Sequence, residues 1–363
     1  MLGQMQSHPL LISTLLVHAE RHHGEQQIVS RRVEGDIHRY TYKDLAVRSR
    51  KVAKAVAALG VKAGQTVGTL AWNGYRHLEL YYGVSGSGAV LHTLNPRLHP
   101  DQVVYIADHA EDQVLFFDMT FLPLVEAVAA RLKTVKHFVA MTDRATMPGL
   151  DIPRLLCWQD LVDSQPSTYT WPEFDERTAS SLCYTSGTTG RSKGAMLSHR
   201  NLLSNAEVLT REWRFTSDDV LLHALPIFHT HGLFVATNVA LLAGCPMIFL
   251  PRFDAGQIIG HLPRATAMMG VPTFYVRLVD DARLTRDATK NMRVFISGSA
   301  PLLADTHDAF RKKTGHAILE RYGMTETNMN ASNPYDGDRV AGTVGFALPG
   351  VSLRVVDPET GAK

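Results

Sequence analysis

Two patterns of apolar positions alternate along the chain. Short runs rich in β-branched and aromatic residues recur at Thr66–Ala71, Ala89–Thr93, Val114–Phe117, Val135–Met141, Ser181–Thr185, Val220–Leu225, Met247–Leu250 and Val294–Ser297. Between many of them, apolar residues stand three and four apart, as from Tyr42 to Leu59 and from Leu302 to Thr314. The first pattern predicts strands and the second amphipathic helices. Several strand runs are continuously apolar, so both of their faces need cover. That favours parallel sheets flanked by helices, an α/β fold.

Near the N-terminus, Leu10, Leu11, Ile12, Leu15, Leu16 and Val17 form an apolar cluster broken by Ser13 and Thr14 and followed by Glu20, Arg21, His22 and His23. It has no basic leader or small-residue cleavage site and is too short to span a bilayer, so it predicts a first amphipathic helix. Val239–Leu250 contains Gly244 and Pro246 and reads as a helix end followed by a buried strand. Ser164–Arg177 is richer in Pro, Ser, Thr and acids, as expected of a connection. The predicted organisation is therefore an α/β subdomain over 1–175, a second over 176–338, and the start of a small β-barrel-like subdomain over 339–363. The last segment rests on the short strands and turns from Val340 to Asp357. The sequence stops at the turn Pro358-Glu359-Thr360-Gly361, and the expectation is that a larger protein continues past it.

Composition narrows the function classes. A length of 363 residues favours two to three domain-sized units. A formal net charge of +2 gives no field that would recruit nucleic acid or an anionic membrane. The three cysteines, Cys157, Cys183 and Cys245, lack CxxC spacing, which fits buried thiols in a reducing, cytoplasmic setting.

Candidate chemistry concentrates after residue 180. A strand runs into Tyr184-Thr185-Ser186-Gly187-Thr188-Thr189-Gly190-Arg191-Ser192-Lys193-Gly194, a loop of glycines, hydroxyls and a lysine. Glycines let the backbone approach closely, hydroxyls and N–H groups cradle anionic oxygens, and Lys193 adds a point charge. Gly194 follows the lysine, so this is not a Walker loop. A flexible Ser/Thr/Gly surface loop would have the same composition. Ser297-Gly298-Ser299-Ala300-Pro301 follows a buried strand and opens a helix, and Tyr322-Gly323-Met324-Thr325-Glu326-Thr327 offers a carboxylate of the kind a magnesium–nucleotide complex requires. His229-Thr230-His231 lacks a further ligand cluster at metal spacing, which argues against a metal there.

In order and wording, these segments resemble the AMP-forming acyl-CoA synthetase family. The resemblance implies that Thr185, Ser186, Gly187, Thr188, Thr189, Gly190 and Lys193 bind the ATP phosphates. It implies that Ser299, Ala300, Pro301, Glu320, Arg321, Tyr322, Gly323, Met324 and Thr325 complete the nucleotide site, with Thr325 at the α-phosphate and Tyr322 near adenine. Glu326 takes Mg²⁺, and His231 walls the acid site while His229 is structural. Thr185, Lys193, His231 and Glu326 form the implied catalytic set. Gly187 to Gly350 resembles malonyl-CoA synthetases, including ISGSAPLLADTH, ERYGMTETNMN and NPYDGDRVAGTVG. In that group the positions matching Arg277, Arg321 and Ser299 hold the distal carboxylate, and Thr230 and Met329 lie near the C2 substituent.

An arginine in an apolar setting is costly unless paired. Arg277 stands in the apolar run Val271-Pro272-Thr273-Phe274-Tyr275-Val276-Arg277, and Arg321 directly precedes Tyr322. Either a dicarboxylate substrate or an internal salt bridge would supply the partner. Before about residue 183 the chain looks more like medium- and long-chain fatty acyl-CoA synthetases, as in Ala71-Trp72-Asn73-Gly74-Tyr75-Arg76-His77-Leu78-Glu79 and Asn95-Pro96-Arg97-Leu98. The chain thus reads as a mosaic joined near the phosphate loop.

The implied function is ATP-dependent activation of malonate or methylmalonate, then transfer to coenzyme A. ATP, Mg²⁺ and CoA are the implied cofactors, with no nucleic-acid partner, no membrane span, and room for a homodimer. The family's C-terminal lid domain is expected beyond this sequence, and the chain alone should turn over slowly. A medium-chain fatty acyl-CoA synthetase and a non-catalytic adenylate-binding module are the alternatives.

Overall fold

The computed structural model describes residues 3–147, 149, 152–185 and 191–362. The predicted first helix forms as Ile12–His23, and the long amphipathic one as Tyr42–Ala58. The latter starts at a reciprocal cap. The Asp44 N–H donates to Thr41 Oγ1 at 3.1 Å, and the Thr41 N–H donates to Asp44 Oδ2 at 2.9 Å.

Two sheets organise the chain. The first has seven strands in the order Leu155–Cys157, His137–Ala140, Val114–Phe117, Thr66–Leu70, Val90–Thr93, Ala179–Thr185, Lys193–Ser198. All its pairings are parallel except the last. Its strands are continuously apolar for the expected reason. Val114 and Phe116 point into the large core, while Leu115 and Phe117 point into a second core on the opposite face.

The second sheet has nine strands: Phe346–Ala347, Asn328–Ser332, Leu319–Met324, Val294–Ser297, Ala267–Gly270, Leu221–His223, Met247–Phe249, Gln27–Arg31, Ile37–Thr41. The run from Leu319–Met324 to Gln27–Arg31 is parallel, and antiparallel strands close both edges.

The two sheets exchange strands across the expected boundary at 175/176. The hairpin Gln27–Thr41 lies in the early chain but completes the second sheet beside Met247–Phe249. The strands flanking the phosphate loop, Ala179–Thr185 and Lys193–Ser198, belong to the first sheet, where Leu91 pairs with Ser181. Exposed Gln27, Arg39 and Lys193, with a solvent-facing Ile37 and an exposed Gly194, broke the apolar pattern of these strands. The expected strands over 340–357 reduce to Phe346–Ala347, and Leu353 and Val355 are exposed.

The seam between the two sheets is filled and hydrogen-bonded. Buried Asn73 donates from Nδ2 to the carbonyls of Leu225 (2.7 Å) and Leu250 (3.0 Å) and accepts from the Ile227 N–H (2.9 Å). Tyr82 OH donates to Asn238 Oδ1, and Asn238 Nδ2 donates to Tyr81 OH, each at 3.0 Å. One apolar cluster runs from Ile12 through Leu78 and Leu222 to Leu319 and joins both sheets. The three cysteines are free and buried. No helix among the described residues is long and apolar enough to cross a membrane.

Candidate active site

In a parallel sheet the carboxyl ends of the strands are where ligands gather. Here Leu221–His223, Ala267–Gly270, Val294–Ser297 and Leu319–Met324 deliver their following residues to one cleft of about 390 Å³. The first sheet contributes Tyr184 and Thr185 from the opposite side.

After Leu221–His223 the chain turns through Leu225 and Pro226 into a wide π-helical stretch, His231–Ala236. Such turns are uncommon and cluster at functional sites. Gly232 is obligatory there, since a Cβ would lie 2.3 Å from the Pro226 carbonyl oxygen. This turn places Thr230 and His231 on the cleft wall. His229 also lines the cleft, and burial pushes its imidazole down to about 4.

The other wall follows Val294–Ser297. Ser299 takes φ +72°, an uncommon left-handed conformation for a non-glycine residue. Gly298 makes room for Arg321, because a Cβ at 298 would fall 2.5 Å from Arg321 Cζ. Arg321 is 3% exposed, and no carboxylate among the described residues forms an ion pair with it. Its Nη2 donates to Ser299 Oγ at 3.3 Å, while its buried Nε and Nη1 have no partner. Burial pushes the guanidinium down to about 9, still ionised at neutral pH. His231 Nδ1 lies 3.3 Å from the same Ser299 Oγ, and its buried Nε2 has no partner. Burial first, then the Arg321 and His223 charges, hold His231 well below the usual histidine range, so the ring is neutral.

A second cavity of about 430 Å³ lies next to the first and shares Ser299, Arg321 and Gly323 with it. Ala300, Pro301, Glu320 and Tyr322 line this second space. Burial raises the Glu320 carboxyl, which accepts from the Gly342 N–H at 3.0 Å. Met324, Thr325 and Met329 line the first cavity.

The sequence-predicted residues thus fall into groups. Thr185, Thr230, His231, Ser299, Ala300, Pro301, Glu320, Arg321, Tyr322, Gly323, Met324, Thr325 and Met329 come together around the two cavities. Lys193 and Glu326 are exposed and line neither cavity, although Lys193 pairs in register with Thr185 and Glu326 adjoins Thr325. Ser186, Gly187, Thr188, Thr189 and Gly190 lie outside the described residues.

Arg277 departs from expectation. Helix Pro272–Val279 turns Phe274, Tyr275 and Leu278 inward and leaves Val276 and Arg277 exposed. The Arg277 guanidinium sits 4.7 Å from the Phe253 ring centroid and lines neither cavity. A run of apolar composition is not an apolar face all round, which is why the expected burial failed.

Some site residues escaped the sequence reading. Asn205 anchors the Met329 backbone, donating from Nδ2 to its carbonyl at 3.0 Å and accepting from its N–H at 3.3 Å. The two are 124 residues apart, so no local signal could have joined them. Tyr184, which opens the candidate loop segment but was assigned no role there, also lines the cleft, with its OH 2.6 Å from His109 Nδ1.

Comparison with known proteins fits this α/β architecture and cleft. A family described as AMP-binding enzyme matches residues 16–363, and the chain belongs to that family. It is 41% identical over 332 residues to a 3-methylmercaptopropionyl-CoA ligase of Ruegeria lacuscaerulensis, covering 90% of this chain and 61% of that protein. It is 31% identical over 353 residues to the mitochondrial malonate–CoA ligase of Mus musculus, covering 89% and 57%. Among solved structures, ATP-bound MatB from Rhodopseudomonas palustris superposes with a TM-score of 0.86 at 44% identity, covering 98% of this chain and 68% of that one. The chain therefore spans roughly three-fifths of the length of the first of these curated relatives, 61%.

Proposed function

We propose that this chain is the nucleotide- and acid-binding portion of an AMP-forming acyl-CoA ligase, and that its acid is a short dicarboxylate such as malonate or methylmalonate. The observation that carries the second part is Arg321, a buried cation with two unpaired nitrogens in the wall between two cavities. A buried charge without a partner is expensive, and a carboxylate meeting the fork of its donors would remove that cost. Arg321 and His231 both reach one hydroxyl, that of Ser299, so a cation and an imidazole share one stretch of the cleft wall, where the second carboxylate of a diacid would find a positive charge. Arg277, exposed on its helix, has no part in this reading.

The cavity beside Ala300, Pro301 and Tyr322 would take the adenosine, and the cleft beside Thr185 and Thr325 the phosphates and acid. Glu326 fits a magnesium ion, which characteristically takes one or two carboxylates and completes its shell with substrate phosphates and water. Bound there, it would neutralise phosphate charge. In the first step the acid's carboxylate attacks the α-phosphorus, the bond to the β-phosphate oxygen breaks, and pyrophosphate leaves with the electron pair. In the second the CoA thiolate adds to the acyl carbonyl, and AMP departs. No enzyme nucleophile is required, and alignment with fixed charge supplies most of the acceleration.

A second reading has one observation behind it. Leu225, Val271, Met324 and Met329 give the cleft an apolar side. That suits an acid with a thioether or alkyl tail, and the 41% identity to the Ruegeria protein points the same way. It would leave Arg321 unpaired. Thermal stabilisation by non-hydrolysable malonyl, 3-methylmercaptopropionyl and octanoyl adenylate mimics separates the readings. A ligand at about 100 times its Kd stabilises by roughly 2.7 kcal/mol. The malonyl mimic should shift the transition most. A larger shift with either monoacid overturns the diacid assignment, and no shift with any mimic overturns adenylate binding by this chain.

A further inference from the structure

We propose that His223 is a positioning residue for acyl activation: its hydrogen bond to the Gly232 carbonyl holds the turn His231–Ala236 in its π form and so fixes where Thr230 and His231 stand on the cleft wall. This deepens the acyl-activation reading and rests on it for the group that Thr230 and His231 meet.

His223 ends the strand Leu221–His223 inside the second sheet, between Phe249 and Met269. It is 1% exposed, and its ring centroid lies 4.9 Å from that of Phe249. Nε2 stands 3.0 Å from the Gly232 carbonyl oxygen. A carbonyl can only accept, so Nε2 carries the proton and donates it. Burial pushes the imidazole down to about 4, so at neutral pH the ring is uncharged and Nδ1 is bare. That Nδ1 is buried and has no partner. An apolar side chain of similar size would fill the same space without stranding a nitrogen, so the histidine is explained by the bond it makes at Nε2.

The bond falls where the backbone needs it. A π turn is rare, and such uncommon backbone persists where its surroundings hold it. In the α form the Gly232 carbonyl would accept from the Ala236 N–H, four residues on. Here His223 supplies a donor from outside the turn. Upstream, the approach is pinned from the other sheet. Asn73 meets Leu225 and Ile227, and Thr93 Oγ1 donates to the Phe228 carbonyl at 3.1 Å. His223 is the next pin along the chain, and it acts on the residue directly after His231. Without its donor the turn can regularise to the α form. The change in residues per turn would then rotate His231 about the helix axis and away from Ser299. His223 itself does not line the cleft, so it acts through these neighbours.

Nitrogen NMR of the full chain carrying isotope-labelled histidine tests this without any ligand. The His223 and His231 signals are identified by their loss in His223→Gln and His231→Asn. The expected His223 ring is neutral, with protonated Nε2 and bare Nδ1, unchanged from about pH 6 to 8. His223→Gln, whose amide nitrogen reaches the place of Nε2, should leave the His231 signals where they are, and His223→Leu should move them. The malonyl adenylate mimic should bind the glutamine variant as before and the leucine variant on the order of tenfold more weakly. Adenosine, which would fill only the neighbouring cavity, should bind all three proteins alike. Should the leucine variant fail to fold, His223→Asn takes its place, since its shorter amide stops short of Gly232. Protonated Nδ1 or an imidazolium at His223 in the unsubstituted protein overturns the proposal. So do unmoved His231 signals or an unchanged mimic affinity in the folded leucine variant, an equal loss of adenosine binding there, or a glutamine variant as impaired as the leucine one. Failure of the mimic to bind the unsubstituted chain overturns the acyl-activation reading instead, and the His231 signals then decide the role of His223.

Discussion

Two buried polar clusters in this molecule are built on opposite terms. At the seam between the sheets, Asn73 satisfies three backbone groups and Asn238 bridges two tyrosine hydroxyls. In the cleft, Arg321 leaves two nitrogens unpaired and His231 one. Both clusters are excluded from water, so the cost of an unmade hydrogen bond is similar in each. The seam's polar groups join two layers, whereas the cleft's are held ready for a group the chain itself does not supply. Stability and recognition are therefore located in different residues, and substitutions should separate them.

The largest effect should come from the seam. Asn73→Ala strands three buried backbone groups, each worth about 1–3 kcal/mol, and should cost roughly 3–6 kcal/mol in chemical denaturation. Next is Arg321→Met. The free protein should be as stable as before or more so, because an uncompensated buried charge disappears, while affinity for the malonyl mimic should fall by about 2–5 kcal/mol by calorimetry. A matching loss of stability would erase the distinction between the clusters. Gly298→Ala should act in between. Its Cβ would displace the guanidinium, so a cost of about 1–3 kcal/mol in stability and weaker malonyl binding are expected together.

The smallest effect concerns pH. Buried Glu79 accepts from Arg48 Nε at 2.7 Å, leaves Oε2 unpaired, and is pushed up to about 7 by burial against the opposing Arg48 charge. The folded state thus holds a proton that the unfolded state releases at its ordinary 4.5. The stability Glu79 contributes is fully present below about pH 4.5 and is lost as pH rises through about 7. Glu79→Gln should remove a decline on the order of 1–2 kcal/mol over that window, read by denaturation at pH 5 and pH 7.5.

The pattern of sequence reading follows the same physics. All eight apolar runs correspond to strands, because continuous burial leaves a continuous apolar trace, as at Val114–Phe117. The hairpin Gln27–Thr41 and the strand Lys193–Ser198 left little trace, since edge strands carry polar and exposed residues. Residues contiguous in a motif, such as Ser299-Ala300-Pro301 and Tyr322-Gly323-Met324-Thr325, were legible and do meet at the cavities. Asn205 was not, because its contact with Met329 depends on the tertiary fold. Arg277 was misread because composition was taken for orientation, and helix Pro272–Val279 has one buried side.

The exchange of strands between the sheets also sets a schedule for synthesis. The hairpin ending at Thr41 finds its parallel neighbour only when Met247–Phe249 has been made, about 200 residues later. At ordinary elongation rates that is a wait of roughly 10–40 s on the ribosome. During it, the hairpin's inner edge is unpaired and its core face, including Ile28 and Tyr40, lacks part of its final cover. The nascent chain must therefore carry an adhesive strand through the synthesis of those 200 or so residues, and charged residues along that hairpin, Arg31, Arg32, Glu34, Asp36 and Arg39, would help keep it soluble until its partner arrives.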